Sequence, residues 1–207
     1  MDVVHAQSNG TRRDGAIVLQ ALSIVVPDGR GSYLSAPIST GRRYMEAMAD
    51  AGVDSHDALI GKIGMAAYLE RVRRPNVRDG EEYANRLRAA GVLYVVNTGP
   101  LFIEGWSGRD YMDLCFSVIE RKIQTVYFHP EWASSEGAVE EYFFSVERGL
   151  KLVAPEGGPL TPDLARASLA AVRDYARQLS LPTLGIDQQL RKLDTAAAPA
   201  TPAATPR

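Results

Sequence analysis

Apolar residues recur along the chain in two alternating patterns. Short runs of adjacent apolar residues, rich in β-branched side chains, are typical of buried strands. Longer segments that repeat an apolar residue every three or four positions are typical of helices with one buried face. The first pattern predicts strands in GAIVLQALSIVV, GSYLSAPIST, VLYVVN, IQTVYF and LKLVAP, which are residues 15–26, 31–40, 92–97, 123–128 and 150–155.

The second pattern predicts helices between these strands, and several carry recognisable end signals. Gly52 is a stop for the first helix, and Ser55 or Asp57 is a cap for the second. Thr161 precedes Pro162, which is favoured at a first helical position because its missing N–H has no partner there. The predicted helices cover residues 41–52, 55–72, 78–91, 108–122, 137–149 and 161–180.

Strands that alternate with helices predict βαβ units, and therefore one α/β domain with a mainly parallel sheet flanked by helices. We place this Rossmann-like or flavodoxin-like domain at residues 15–194. Residues 1–14 are polar and predict a flexible N-terminus. The Ala/Pro/Thr-rich residues 195–207 predict a disordered tail, since they contain no large apolar side chain. In parallel sheets of this kind, ligands bind beyond the carboxyl ends of the strands.

Composition narrows the classes of partner and cofactor. The formal net charge of −2 over 207 residues gives no electrostatic reason to expect a nucleic-acid polymer or a membrane surface as partner. The lone Cys115 excludes an intrachain disulfide, and the three histidines lie in separate segments, so we expect neither a metal site nor another cofactor. With no secretion signal and no spanning segment, the pattern favours a cytoplasmic protein.

The first candidate site is SAPISTGRR, residues 35–43. Small hydroxyl residues, the free N–H groups of a helix start and a nearby guanidinium together form a cradle for a phosphate or a carboxylate. A capped helix with solvated arginines is the alternative, and this stretch taken alone favours it. It is not a P-loop, because GKIG at residues 61–64 lacks the full motif.

The second candidate site is EWASSEGAVEE, residues 131–141. If a helix begins near Gly137, Glu141 lies one turn in and Glu140 points about 100° away around the helix. The helix dipole favours an ionised carboxylate in this turn, and such a group can attack or stabilise an electron-poor carbon. Two acidic residues that only satisfy a helix start are the alternative, and they are common.

Two further groups of residues are candidates for a supporting role. Asp110 or Asp113, on the helix before IQTVYF, could supply the second carboxyl group that glycosyl chemistry uses, although a solvated helix face is the alternative. Trp106 and Trp132 lie in predicted loops, which makes them the better candidates for stacking on a nucleobase.

Four of these segments together resemble the nucleoside 2-deoxyribosyltransferase superfamily, and most closely its bacterial and phage branch. That superfamily includes base-exchanging transferases and N-glycosidases that act on nucleoside monophosphates. The most specific feature is W-x-x-S-x-G-x-x-x-E followed by Gly149. The resemblance implies that residues 53–75 are an inserted helix, which could cap the pocket or form a subunit contact. The matching segments are YLSAPISTGRR, PNVRDGEEYANRLRAAGVLYVVNTGPLF, YMDLCFSVIE and WASSEGAVEEYFFSVERGLKLV.

The resemblance also implies a role for individual residues. Glu141 matches the catalytic nucleophile, Tyr33 the tyrosine that positions it, and Asp113 an aspartate near the base and sugar. Ser135 matches a serine that contacts the 5′ phosphate, and Gly137 and Trp132 share its motif. The phosphate loop of the monophosphate hydrolases matches Ile38, Ser39, Thr40, Gly41 and Arg42.

We therefore expect an enzyme that hydrolyses the N-glycosidic bond of a nucleoside 5′-monophosphate or a related nucleotide. It would act without a cofactor, on a small-molecule nucleotide or nucleoside. The alternatives are a transferase that exchanges bases and a catalytically silent module that binds nucleotides. Relatives usually pair subunits around the active site, so the resemblance implies a homo-oligomer, a dimer or higher.

Overall fold

The computed structural model describes the backbone of residues 2–197 and the side-chain surroundings of residues 14–195. Within this part of the chain, four parallel strands form one sheet: β1 (Gly31–Ser35), β2 (Val95–Val96), β3 (Ile123–Phe128) and β4 (Lys151–Val153). Their order across the sheet is β2-β1-β3-β4, with β1 paired to both β2 and β3. The predicted α/β class with a parallel sheet is confirmed.

Helices pack on both faces of this sheet. The predicted caps at Ser55 and Thr161 are confirmed, because each side chain accepts the N–H three residues on. A π-helical turn (Leu69–Arg73) joins α4 to α5, and a 3-10 turn (Trp132–Ser134) precedes α7. The helices are α1 (Asp2–Val25), α2 (Arg42–Ala51), α3 (His56–Ile63), α4 (Met65–Tyr68), α5 (Arg74–Ala89), α6 (Gly108–Lys122), α7 (Glu136–Glu147), α8 (Pro162–Gln178) and α9 (Leu184–Ala197).

The strand predicted at residues 15–26 is wrong, because these residues form the last part of α1. Their apolar side chains divide at helical spacing. Val18, Leu19 and Leu22 pack against the main core, whereas Ile17 and Ile24 remain exposed. The β-branched content suggested a strand, but a helix with one buried face fits the chain better here.

The two chain ends differ from their predictions in part. Helix α1 includes most of residues 1–14, where the sequence predicts a flexible terminus. Helix α9 includes residues 195–197 of the predicted tail, and residues 198–207 lie outside the described residues. None of the helices in the described part of the chain is both long and apolar enough to cross a membrane.

The predicted helix over residues 53–75 is present as several short pieces. Gly64, at φ 80°, separates α3 from α4, and the π-helical turn then leads into α5. Leu59, Tyr68 and Val72 pack with Ala47 of α2 in a small core of their own, separate from the core on the sheet. The segment therefore packs on α2 and on the loop that leads into it.

Candidate active site

A cleft of about 470 Å³ opens at the carboxyl ends of β1 and β2. Its walls come from the loops that follow these two strands, from α6 and from the first turns of α7. This is the edge of the sheet at which parallel α/β domains bind ligands. Its volume lies within the usual range for small-molecule sites, roughly 300–1,000 Å³.

Glu141 lies in this cleft with both carboxylate oxygens held. The side chain is only 6% exposed. Tyr33 Oη donates a hydrogen bond to Oε1 over 2.6 Å, and Ser35 Oγ donates one to Oε2 over 2.6 Å. Tyr33 and Ser35 are two residues apart on β1, so the pleat of the strand puts both side chains on the face that α7 covers. The predicted Tyr33–Glu141 pair is thus brought together.

Burial raises the pKa of Glu141 from its ordinary value of 4.5 to about 7, and the hydrogen bonds from Ser35 and Tyr33 oppose this rise. The dipole of α7 was expected to keep the group ionised. Desolvation outweighs that effect, because a first-turn dipole is worth about 1 kcal/mol whereas full burial can shift a pKa by several units. Near pH 7, the carboxyl group exists in both protonation states.

Thr98 and Cys115 continue the polar contacts behind Tyr33. Thr98 Oγ1 lies 3.1 Å from Tyr33 Oη and 3.6 Å from Cys115 Sγ. Burial raises the pKa of Cys115 to about 12, so this thiol stays protonated. Thr98 was not predicted from the sequence as a site residue. The signal that could have found it is its place directly after β2, at the strand end that faces the ligand.

The predicted phosphate loop reaches the cleft through three of its five residues, Ile38, Ser39 and Thr40. Thr40 Oγ1 donates to Ser135 Oγ over 3.0 Å, and Ser135 caps the N-terminus of α7. Gly137 follows in the first turn of α7 and also lines the cleft. Hydroxyl groups from two loops and the start of a helix therefore converge on one wall, as an anion cradle requires.

Two side chains from outside this loop fix its backbone. Asn76 Nδ2 donates to the carbonyls of Ile38 and Thr40 over 3.2 and 2.8 Å, and Tyr68 Oη donates to that of Ser39 over 2.6 Å. Neither Asn76 nor Tyr68 was predicted from the sequence as a site residue. These bonds fix three successive carbonyl groups of the loop.

Arg42 and Gly41 do not line this cleft. The Arg42 guanidinium lies 4.3 Å above the ring of Tyr175, and its Nε is 3.2 Å from Glu46. Gly41 is the N-cap of α2 at φ 103°, and an added Cβ would lie 2.8 Å from Cβ of Pro37. Arg42, which was predicted to bind the anion, is therefore not brought to this cleft, because i,i+4 pairing along α2 engages it elsewhere. Gly41 shapes the turn instead.

Trp132 is a core residue and not a stacking platform. It is 1% exposed and packs between Phe128 and Tyr142, at ring-centroid distances of 5.0 and 5.3 Å. The short helical turn that contains it rotates the indole inward. Trp106 does line the cleft, where it packs on Tyr111 at 5.1 Å. Of the two tryptophans, only Trp106 is therefore placed to contact a ligand.

Asp113 is not brought near Glu141. It is exposed, pairs with Arg109 at 3.0 Å, and lines a different depression between α1 and α6. The residues of α6 that line the cleft include Met112 and Cys115 but not Asp113. A helix turns about 100° per residue, so the position after Met112 points away. Asp110 caps α6 in a reciprocal pair with Ser107 and lines that same depression.

Charged groups that the sequence analysis did not assign to the site also border the cleft: Arg73, Arg109 and Glu136. Glu140 borders it too, although it was expected to point away from Glu141. The two neighbouring glutamates differ in depth, since Glu140 is exposed and Glu141 is buried. Within the described residues, Arg73 makes no ion pair, and no three His, Cys, Asp or Glu side chains are grouped as metal ligands would be.

A protein-family model described as a domain of unknown function, DUF4406, matches residues 73–154. The matched segment runs from the end of the π-helical turn to just past β4, and so includes Thr98, Cys115, Ser135 and Glu141. No match was found among curated proteins or among solved structures.

Proposed function

We propose that the protein cleaves the N-glycosidic bond of a nucleoside 5′-monophosphate or a related nucleotide, with Glu141 as the nucleophile. The observation that carries this proposal is the buried Glu141 carboxylate, which borders the cleft while both of its oxygens accept hydrogen bonds from β1. A carboxylate held in this way loses little freedom on reaction, because its rotamer is already fixed. The resemblance to the nucleoside 2-deoxyribosyltransferase superfamily points to the same residue.

The chemistry would run in two steps. Glu141 attacks the anomeric carbon, the C–N bond breaks, and the base leaves with the bonding electron pair. A proton reaches the base as it leaves, and Glu140 is the exposed carboxyl group on the cleft wall that could transfer one from solvent. Water then attacks the anomeric carbon of the glycosyl ester and gives its proton to Glu140, which releases the sugar phosphate and returns Glu141 as a carboxylate. The sum is nucleotide plus water to free base plus sugar phosphate.

We assign the phosphate group to the part of the cleft formed by the loop after β1 and the start of α7. Ser39, Thr40 and Ser135 offer hydroxyl groups, and the first N–H groups of α7 point to the same wall. Arg73 supplies a cation on the cleft wall, in place of Arg42. Binding the unreactive end of the substrate in this way would orient the anomeric carbon toward Glu141.

The apolar lining suits a base. Leu101, Phe102 and Trp106 come from the loop after β2, and Met112 comes from α6. Aromatic side chains at a cleft edge can stack on a nucleobase, which would favour nucleosides and nucleotides over simple glycosides.

The test is release of free base. The purified protein is incubated with a panel of nucleosides and their 5′-monophosphates, and products are separated by chromatography. We expect base from at least one monophosphate, and a loss of at least about 10³-fold in Glu141→Gln, as for the removal of a covalent nucleophile. Glu147→Gln is the matched control, since this glutamate is exposed on the same helix and forms an ion pair with Lys192. It should leave the rate unchanged.

Two other outcomes would change the assignment. Base exchange on addition of a second free base, with no net hydrolysis, would identify a transferase that uses the same nucleophile. Binding of nucleotides without release of base under any condition would favour a silent binding module and contradict the proposal.

A further inference from the structure

A chain of side chains joins α6 to Glu141 through the centre of the domain. Cys115 Sγ, Thr98 Oγ1 and Tyr33 Oη are linked at 3.6 and 3.1 Å, and Tyr33 Oη is 2.6 Å from Glu141 Oε1. Cys115 and Tyr33 are 5% and 1% exposed, so water has little access to either. Each of the three donors carries one proton, and this fixes how the bonds can run.

The direction follows from counting these protons. When Glu141 is ionised it can only accept, so the proton of Tyr33 must point to it. Because Tyr33 donates its proton to Glu141, Tyr33 Oη can only accept a hydrogen bond from the Thr98 hydroxyl. Thr98 Oγ1 accepts in turn from the thiol of Cys115. The thiol is the last donor in the chain and is protonated, since burial raises its pKa to about 12. Every bond therefore points toward the carboxylate.

We propose that Thr98 is a positioning residue for Glu141, because it accepts a hydrogen bond from Cys115 and donates one to Tyr33, and so strengthens the hydrogen bond that stabilises the ionised form of Glu141. Successive hydrogen bonds that run in one direction polarise one another. The effect on the charge of Glu141 is a property of the fold, and its effect on catalysis rests on the proposed function.

Among the described residues, no cation stabilises the Glu141 carboxylate in place of these neutral donors. The groups that face Glu141 are the Tyr33 and Ser35 hydroxyls of β1, the Cys115 thiol of α6 and, on its own helix, Glu140. Glu140 is negatively charged and raises the pKa of Glu141. No described Lys, Arg or His forms an ion pair with Glu141. Neutral donors alone oppose the desolvation of this carboxylate, so each one matters.

The test is the pKa of Glu141, measured by NMR on protein labelled with carbon-13 at the glutamate carboxyls, with Glu141→Gln used to assign the signal. Thr98→Val keeps the shape of the side chain and removes the hydroxyl. We expect it to raise the pKa of Glu141 by about 0.3 to 0.8, the size of a partial loss of a charge-assisted hydrogen bond. Thr98→Ser should restore the wild-type value. Cys115→Ala should also raise the pKa, because the thiol both faces Glu141 and is the last donor behind Thr98.

Thr125→Val is the matched control. It makes the same substitution in β3, where the hydroxyl forms no side-chain hydrogen bond among the described residues, and it should leave the titration of Glu141 unchanged. An unchanged pKa in Thr98→Val, or a Thr98→Ser variant that behaves like Thr98→Val, would overturn the proposal. If Thr98→Val does not fold, Cys115→Ala and Thr98→Ala supply the same comparison.

The catalytic consequence is measured separately. The acid limb of kcat/KM for base release should move to higher pH in Thr98→Val by the same amount as the pKa of Glu141. A wild-type protein that releases no base would contradict the proposed function, yet the NMR titration would still decide whether Thr98 acts on Glu141. A titration that moves while the acid limb stays fixed would overturn the catalytic part.

Discussion

Ser35 Oγ and Glu141 Oε2 lie 2.6 Å apart, although 106 residues separate them in sequence. The contact joins the carboxyl end of β1 to the second turn of α7, and Tyr33 holds the other oxygen from the same strand. Neither hydroxyl can ionise at ordinary pH, so the pair stabilises the charge of Glu141 without neutralising it. Glu141 therefore stays able to gain and lose a proton close to pH 7.

The first prediction concerns the pH dependence of activity. A nucleophilic carboxylate must be ionised, and burial raises the pKa of Glu141 to about 7. We expect kcat/KM for base release to rise about tenfold per pH unit below this value and to level off above it. A nucleoside without phosphate is the best substrate for the measurement, since the phosphate itself titrates near pH 6. A profile that is flat from pH 5 to 8 would exclude Glu141 as the ionised nucleophile.

The second prediction concerns stability. The pKa of Glu141 is raised in the folded protein, so the folded state holds its proton more tightly than the unfolded chain. Stability from this group is fully present below pH 4.5 and is lost as the pH rises through 7. Glu141→Gln should therefore exceed the wild type by up to about 3 kcal/mol at pH 8 in urea unfolding, with the difference vanishing toward pH 4.5.

Glu147→Gln, on the same helix, should show no such pH-dependent difference, because its side chain is largely exposed. An active-site variant that is inactive yet more stable above pH 7 is expected where function requires a buried charge. A Glu141→Gln protein less stable than the wild type at pH 8 would mean that the hydrogen bonds outweigh the burial cost.

The sheet and most helices could be predicted from local pattern. IQTVYF forms β3 over the predicted residues, and Thr161 caps α8 as expected, because both signals lie within a few neighbouring residues. The segment at residues 15–26 was mispredicted since its β-branched content and its helical spacing disagree, and packing on α6 decides between them. Local patterns are least informative where both structures can bury the same side chains.

In the candidate site too, local pattern predicts some residues and not others. Glu141 and Ser135 could be found because both lie within one short motif, and Tyr33 was found through the family resemblance. Asp113 and Trp132 were misplaced because the directions of their side chains cannot be predicted from local pattern. The direction of Asp113 depends on the rotation of α6 about its axis, and a shift of one residue changes it by about 100°. The direction of Trp132 depends on a short helical turn. The hydrogen bonds by which Asn76 holds the loop after β1 could not be predicted, since Asn76 and Thr40 are 36 residues apart in sequence.

The third prediction concerns these hydrogen bonds from Asn76. Asn76 is buried, and its amide group bonds two carbonyls of the loop. Asn76→Ala should lower stability by about 1–3 kcal/mol, the cost of leaving buried acceptors without a partner. It should also raise KM for a monophosphate more than it lowers kcat, because the loop would contact the phosphate and not the reacting carbon. Asn85→Ala, at an exposed position of the same helix, is the control and should change neither.

Equal losses in kcat and kcat/KM for Asn76→Ala would instead place the loop against the reacting centre. A fall in stability without any kinetic change would assign Asn76 a purely structural role. Urea unfolding and steady-state kinetics on the same preparations separate these cases.

The last prediction concerns recognition of the anion. Arg73 lines the cleft and makes no ion pair among the described residues, whereas Arg74 beside it pairs with Glu70 and faces solvent. Neighbouring residues of a helix point about 100° apart, which separates the two arginines, and the π-helical turn sets which of them faces the cleft. The hydrogen bonds of this turn join residues five apart, so Tyr68 and Arg73 share the side of the helix that faces the loops. A regular α-helix would place them about 140° apart.

Arg73→Gln should therefore weaken binding of ribose 5-phosphate by about 10- to 100-fold, the value of one charged hydrogen-bonding group, and leave the weak binding of ribose unchanged. Arg74→Gln removes the same charge one residue away and should leave both unchanged. Isothermal titration in the Glu141→Gln background measures binding without turnover. If the two arginine variants lose phosphate affinity equally, the effect is one of overall charge, and the hydroxyl groups and helix start would bind the phosphate without Arg73.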